Sequence, residues 1–508
     1  MTTRTRKSRR FGAVVGAFAL ALGGALATNS VAHAQPAPGQ DGAPAPGQYG
    51  APTEATLTIQ KFVDNGQKDQ PLEGVKFSVT QVGKLDSSNT CVAIDLTDSA
   101  QWKGLDNLFA SPNGAAPTGS AEGDFCLTAT VHEFTTGVDG KASKTLPLGI
   151  YHAVETDIGP NPVVSKAYPF YISLPTTKDT ANGTLTSGWN YDVQAFPKNK
   201  VAEKPMKTIA DQGDGARVIG SEVAWTITSP IPTLSANEKF TQAEVTDNFD
   251  SRLVYSSSTL KIVKQGAADV ELIEGTHYDV DNSNGTKWTF KDAGYQALTD
   301  NQGGNLVVEV KTKVSDPIGD GAIANRDYKS QFNNALPQGG EPTPYTYWGQ
   351  LELLKVDNSA TQKKLKGAEF EVYNSDSAGQ CPAAKPTTGV LANGTSNEHG
   401  VVVWDNSSQT LGLWIANSDN GAINPLPTRN YCVYETKAPA GHVGQNEPWT
   451  STISPGETAK NTITAVNKRK DGPDLPLTGA QGTIALTVAG LGLLGAGAGA
   501  LSYARRRR

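Results

Sequence analysis

The sequence predicts an all-β protein of several tandem β-sandwich domains. Three observations carry the prediction. First, apolar residues alternate with polar ones in short runs, as in Leu57-Thr-Ile59, Val223-Ala-Trp225-Thr-Ile227 and Leu351-Glu-Leu353. That period of two belongs to strands with one face in a core. Second, the 508 residues include 53 Gly and 30 Pro but only 2 Met, a composition that punctuates strands with turns. Third, what remains after both ends are set aside is roughly 440 residues, enough for about three domains.

The two ends read as processing segments. Residues 1–34 start with Arg4, Arg6, Lys7, Arg9 and Arg10, continue with an apolar stretch from Phe11 to Ala27 and finish on Ala32-His33-Ala34. This is the pattern of a secretory signal peptide, cut before Gln35. Residues 35–53 are rich in Pro, Gly, Ala and Gln and form a flexible leader. At the other end, residues 471–508 hold Leu475-Pro476-Leu477-Thr478-Gly479, an apolar run over 480–504, and Arg505 to Arg508. The run is long enough to cross a bilayer, and the arginines would stay on its cytoplasmic side.

Composition excludes several functions. The formal net charge is −6 and the basic clusters sit at the termini, so the chain is not built to bind nucleic acid. The six histidines include no His-Glu-x-x-His, and no Gly-x-Ser-x-Gly nucleophile stretch is present, so no enzyme is expected. No metal or cofactor site is indicated. Four cysteines in an exported chain fall as two local pairs, Cys91 with Cys126 and Cys381 with Cys432, and predict one disulfide in each of two domains.

Between the ends the chain divides into residues 54–200, 201–345 and 349–470. Each part places polar residues on the apolar parity of its strands. In the first, Lys61 follows Leu57 and Ile59, Glu155 follows Tyr151 and Ala153, and Asn199 follows Val193 and Ala195. Read as one strand, Trp189 to Asn199 turns Asn199 inward and Lys198 outward. In the third, Lys355 follows Leu351 and Leu353, Glu435 follows Tyr431 and Val433, and Asn467 follows Ile463 and Ala465. In the middle part Lys207 shares parity with Ile209 and Asp247 with Val245. A partner Asn near the end of this part is what its resemblance to A-type pilin domains implies; there Asn334 alternates with Phe332 and Leu336 and is preferred, and Asn333 and Asn325 remain open. Lys204 rivals Lys207 but sits beside Pro205 in linker-like sequence. A lone inward lysine is costly unless paired or neutralised.

Several of these stretches resemble known motifs. Leu475 to Gly479, with the span and the basic tail, resembles a sortase cell-wall sorting signal. Trp189-Asn-Tyr-Asp-Val193-Gln-Ala195-Phe196-Pro197-Lys198 resembles the pilin motif W-x3-V-x-V-Y-P-K of Gram-positive backbone pilins, with Ala195 and Phe196 for Val and Tyr. Tyr431-Cys-Val433-Tyr-Glu435-Thr-Lys-Ala-Pro-Ala-Gly441 resembles the E-box of pilin and adhesin domains; Glu155 lacks its Ala-Pro-x-Gly continuation. The first and third domains resemble collagen-adhesin B-type modules and the middle one the A-type, all immunoglobulin-like sandwiches.

The resemblance implies a backbone pilin of a cell-surface fimbria serving adhesion. Lys61 with Asn199, Lys207 with Asn334, and Lys355 with Asn467 would form internal isopeptide bonds promoted by Glu155, Asp247 and Glu435. A pilin-specific sortase would cleave after Thr478 and join it to Lys198 of another identical subunit. A housekeeping sortase would attach the fibre to peptidoglycan, with minor pilins as further partners. A monomeric wall-anchored adhesin or a tip pilin is the alternative. The adhesin needs Thr478 but not Lys198, and no D-x-S-x-S metal motif of a tip pilin occurs, since Asp405-Asn-Ser-Ser408 does not fit.

Overall fold

The computed structural model describes residues 34–36, 43–65, 69–179, 185–283 and 285–470. Most of the signal segment and all of the sorting signal, span and Arg tail lie outside the described residues. Three successive β-sandwiches make up the rest.

In the first sandwich (D1) strand β1 is Glu54–Gln60. Its Leu57 and Ile59 are fully buried, as the alternation requires. Strand β2 is Phe62–Val63, β3 is Lys76–Leu85, β4 is Phe125–Thr135, β5 is Lys141–Pro147 and β6 is Gly149–Asp157. They are followed by β7 (Val163–Ser165), β8 (Phe170–Leu174), β9 (Asp192–Ala195) and β10 (Lys198–Val201). One sheet runs β9-β1-β5, the facing one β8-β6-β3-β4, and a small third sheet β2-β10-β7 closes the end of the domain. The last strands run parallel to the first, with Ile59 opposite Ala195 and Val63 opposite Asn199.

Two features of D1 depart from the sequence reading. Trp189 to Asn199 is three pieces rather than one strand, because the chain breaks at Tyr191 and again at Phe196-Pro197. Pro197 has no N–H to contribute to a ladder, which explains the second break. Of the residues that parity turns inward, Tyr191, Val193, Ala195, Pro197 and Asn199 are buried and Trp189 is half-buried, while Phe196 of the other face is buried as well. Between Cys91 and Cys126 a short strand, Cys91–Ala93, is followed by three short helical turns within residues 99–114. Ile94, Leu96, Leu105 and Leu108 build a separate small core there against Val82, Ile150 and Tyr171.

The middle sandwich (D2) holds β11 (Met206–Ile209), β12 (Glu222–Pro230), β13 (Ala243–Asn248), β14 (Leu253–Val263) and β15 (Thr286–Phe290). Helix α1 (Asp292–Asp300) comes next, then β16 (Asn305–Val314), β17 (Ala322–Ala324) and β18 (Asp327–Phe332). Sheet β11-β12-β16-β14 faces sheet β15-β13-β18 across Trp225, Ile227, Val308, Val245, Trp288 and Tyr328.

The third sandwich (D3) starts with β19, Tyr345–Asp357. This one strand runs through the boundary that the sequence places between 345 and 349. Its first residues pair with β17 of D2, Ala322 opposite Tyr347, and its later ones belong to D3, so no linker separates the two domains. Strands β20 (Glu369–Asn374), β21 (Thr410–Ser418), β22 (Arg429–Lys437), β23 (Trp449–Ile453) and β24 (Gly456–Asn467) complete the fold. Again the last strand runs parallel to the first, with Asp357 opposite Asn467. At this junction Gly321 adopts φ +74°, and a Cβ there would stand 2.1 Å from the Trp348 carbonyl oxygen, so only glycine fits without a shift. The Trp414 ring is also met by the guanidinium groups of Arg217 of D2 and Arg429 of D3, at 5.2 and 4.8 Å.

Both expected disulfides are present. Cys91 bonds Cys126 and Cys381 bonds Cys432, each within one domain.

Candidate functional site: buried lysine, acid and asparagine clusters

Each sandwich buries one lysine amine beside a carboxyl group and a primary amide. In D1, Lys61 and Asn199 are completely buried. Lys61 Nζ lies 2.7 Å from Glu155 Oε2 and 2.5 Å from Asn199 Oδ1. The Asn199 amide nitrogen donates to Glu155 Oε1 at 2.6 Å. In D3 the same three contacts recur. Lys355 Nζ reaches Glu435 Oε1 at 3.0 Å and hydrogen-bonds Asn467 Oδ1. The Asn467 amide nitrogen donates to both Glu435 oxygens at 2.9 Å.

The two clusters share a construction. In both, the first and last strands are parallel neighbours. The asparagine stands opposite the residue two places after the lysine, Val63 in D1 and Asp357 in D3. Residues two apart on a strand share a face, so the pair meets diagonally on the inner side. The acid comes from the opposite sheet, on β6 in D1 and β22 in D3.

D2 corrects the sequence reading. Asn334 is exposed, not buried. Strand β18 ends at Phe332 and the chain turns at Asn333, whose φ is +49°. The alternation from Phe332 to Leu336 therefore spans a turn, and Leu336 is exposed as well. Asn333 serves that turn, accepting from Thr241 N–H at 2.9 Å. The asparagine brought to the site is Asn325, just after β17 and completely buried. Lys207 Nζ lies 2.6 Å from Asp247 Oδ2, and the Asn325 amide nitrogen donates to that oxygen at 3.3 Å. A signal for Asn325 was present, since it shares parity with the fully buried Ile323. Lys204 sits in solvent near Glu341, 3.4 Å away, and takes no part.

The surroundings disfavour charge on these amines. Lys61 stands over the Phe77 ring at 5.6 Å, Lys207 over Tyr328 at 4.6 Å, and Lys355 near Trp449 at 5.5 Å. Burial pushes the Lys61 and Lys207 amines down to about 8, although Glu155 and Asp247 pull the other way. Burial also lowers Lys355 against the pull of Glu435. The Asp247 carboxyl is raised by its burial, with Lys207 opposing. Desolvation thus moves all three amines toward their neutral form, and in D2 the carboxyl as well. Such a group can deliver a neutral nucleophile to an amide carbon.

Beside this chemistry lies a second lysine. Asn199 and Lys198 are neighbours on β10, the first facing the core and the second half-buried on the outer side. Thr478 and the rest of the sorting signal are outside the described residues. Among the described residues no group of His, Cys, Asp and Glu could hold a metal ion, and no helix is long and apolar enough to cross a membrane.

Tandem sandwiches that each bury a lysine, an acid and an asparagine together define a modular β-sandwich protein. Comparison with known proteins narrows this. Residues 47–200 match the Gram-positive pilin subunit D1 N-terminal domain, 349–469 a prealbumin-like fold domain, and 467–508 the LPXTG cell wall anchor motif. Fimbrial subunit type 2 of Actinomyces naeslundii is 31% identical over 481 residues, covering 87% of this chain and 85% of the relative. Fimbrial subunit type 1 of Actinomyces viscosus is 28% identical over 510 residues, covering 89% and 90%. The full-length major pilin SpaD of Corynebacterium diphtheriae shares the fold, with a TM-score of 0.55 at 24% identity, over 82% of this chain and 98% of that one. The chain belongs to the fimbrial subunits of Gram-positive bacteria, pilins carried on the cell wall by an LPXTG anchor.

The lowered amine gives a pH signature wherever the lysine stays uncoupled. In an Asn325→Ala chain, Lys207 binds fewer protons folded than unfolded between about 8 and its ordinary 10.5. Stability therefore rises with pH across that window. The D2 melting temperature of Asn325→Ala, relative to Asn325→Ala/Lys207→Met, is expected to climb from pH 8 to pH 10. A flat difference would show that Lys207 titrates as an ordinary lysine.

Proposed function

We propose that the chain is the shaft subunit of a covalently polymerised fimbria, closed internally by three Lys–Asn isopeptide bonds. The observation that carries this reading is the pair Lys198 and Asn199 on one strand. A buried amide beside Lys61 and an outward lysine at the end of D1 separate the internal bond from the intersubunit one by a single residue.

The internal reaction follows from the contacts. The carboxylate takes a proton from the ammonium, helped by the desolvation that lowers the lysine. The neutral Nζ then attacks the asparagine Cγ. The acid, which touches both Nζ and the amide nitrogen in D1 and D3, passes a proton to that nitrogen, and ammonia leaves. Holding the reactants in contact replaces an encounter and supplies much of the rate. This places the acid at the leaving nitrogen. The pairs proposed are Lys61–Asn199 with Glu155, Lys207–Asn325 with Asp247, and Lys355–Asn467 with Glu435.

Position gives the bonds their use. Lys61 and Asn199 are 138 residues apart. Closing a loop of that size removes unfolded-state entropy worth about 5 kcal/mol by analogy with a disulfide. A link between first and last strands also stops a pull along the fibre from extending the domain.

For assembly, a pilin-specific sortase cleaves between Thr478 and Gly479 and holds Thr478 as a thioester until Lys198 of another subunit accepts it. Head-to-tail contacts of this kind do not close and grow into a filament. A housekeeping sortase attaches the base to peptidoglycan, minor pilins join the fibre, and the fibre serves adhesion. The membrane span over 480–504 holds the subunit beside the sortase before cleavage.

Two experiments bear on this. Lys198→Ala is expected to abolish the ladder of high-mass polymers on cell-wall extracts while monomer stays on the surface; an intact ladder would remove Lys198 from the role. Peptide mapping of Asn325→Ala should show D2 without its cross-link, and Asn334→Ala should show it intact. The reverse pattern would return the assignment to Asn334.

A further inference from the structure

The asparagine carbonyl of D1 has a donor that its counterparts lack. Besides Lys61, Asn199 Oδ1 accepts a hydrogen bond from the backbone N–H of Ala167 at 2.6 Å. In D3, among the described residues, the Asn467 Oδ1 bond is to Lys355 alone, and in D2 the buried Asn325 Oδ1 has no hydrogen-bond partner. A backbone N–H can only donate, so Ala167 also fixes the orientation of the Asn199 amide, oxygen toward Ala167 and nitrogen toward Glu155.

The donor is built in by the fold. Ala167 follows β7, which pairs with β10 in a register that sets Ser165 opposite Lys200, next to Asn199. Ala167 is itself buried. Strand β7 is braced from D2, where Ser165 Oγ donates to Glu238 Oε2 at 2.5 Å and lies 2.7 Å from Ser235 Oγ. The N–H therefore points at the amide oxygen before any reaction, which is the condition for stabilising charge that develops there.

We propose that the Ala167 N–H is the oxyanion donor for closure of the Lys61–Asn199 bond, with Glu155 acting at the leaving nitrogen. This rests on the isopeptide reading of D1. Lys61 gives one proton to Glu155 and its Nζ bonds to Asn199 Cγ. The carbonyl electron pair moves onto Oδ1, where Ala167 holds it. As the pair returns, the Cγ–Nδ2 bond breaks, Glu155 hands its proton to Nδ2 and takes one from Nζ. The products are the Lys–Asn amide, ammonia and a protonated Glu155, whose proton leaves with the ammonia as ammonium.

The test replaces a single atom group. In the full chain, the Ala167 amide is exchanged for an ester by incorporating lactic acid, which substitutes oxygen for the N–H. A matching ester at Lys166, using its α-hydroxy analogue, is the control, since that N–H does not meet Asn199 Oδ1. D1 bonding is followed by peptide mapping from minutes to days after synthesis, with the D2 and D3 bonds of the same molecules as internal clocks. The Ala167 ester should slow D1 closure on the order of 10²-fold, the effect of losing one oxyanion donor. The Lys166 ester and the two internal clocks should stay at wild-type rates. Equal D1 rates in wild type and the Ala167 ester, or equal slowing by both esters, would overturn the proposal. A wild-type D1 that never loses ammonia would instead overturn the isopeptide reading beneath it.

Discussion

The structure depends on keeping a lysine amine out of water beside a carboxyl group and a primary amide. An ion pair buried this deeply is a poor source of stability, because both charges lose their hydration. Three sandwiches nevertheless carry the arrangement, each with its amine against an aromatic ring. Desolvation turns that cost to use, since it lowers the lysines and raises Asp247, which favours the neutral forms that an amide-forming step needs.

Topology makes the same chemistry available more than once. In D1 and D3 the last strand lies parallel to the first, and the diagonal from lysine to asparagine is identical in register. D2 reaches its partner differently. Asn325 follows β17, a strand that pairs with the opening residues of D3, so the D2 cluster and the D2–D3 junction share a structural element. Arg217 and Arg429 meet the Trp414 ring at the same junction. The D2–D3 junction is thus tied by the β17–β19 ladder as well as by the chain itself.

Much of this was legible in the sequence, and the failures have physical causes. Parity placed Lys61, Glu155 and Asn199 in one core because Leu57 and Ile59, Tyr151 and Ala153, and Val193 and Ala195 are all buried on the parity of those residues. It placed Lys355, Glu435 and Asn467 equally well. Parity failed at Asn334 because Asn333 takes a left-handed turn, and alternation has no meaning across a turn. The helical turns between Cys91 and Cys126 and helix α1 were not foreseen, since short helices carry too few residues for a 3.6-residue period to stand out. The donor at Ala167 could not be read at all. It arises from backbone pairing of β7 with β10, and a backbone N–H leaves no mark on side-chain pattern.

The central claim is that three buried clusters each condense a lysine with an asparagine. The most direct measurement is the intact mass of soluble protein covering residues 35–474, before and after reduction. The account predicts a mass short of the sequence value by three ammonias, with four hydrogens recovered on reduction of the two disulfides. A mass that lacks no ammonia would contradict it, leaving three buried ion pairs without a covalent role.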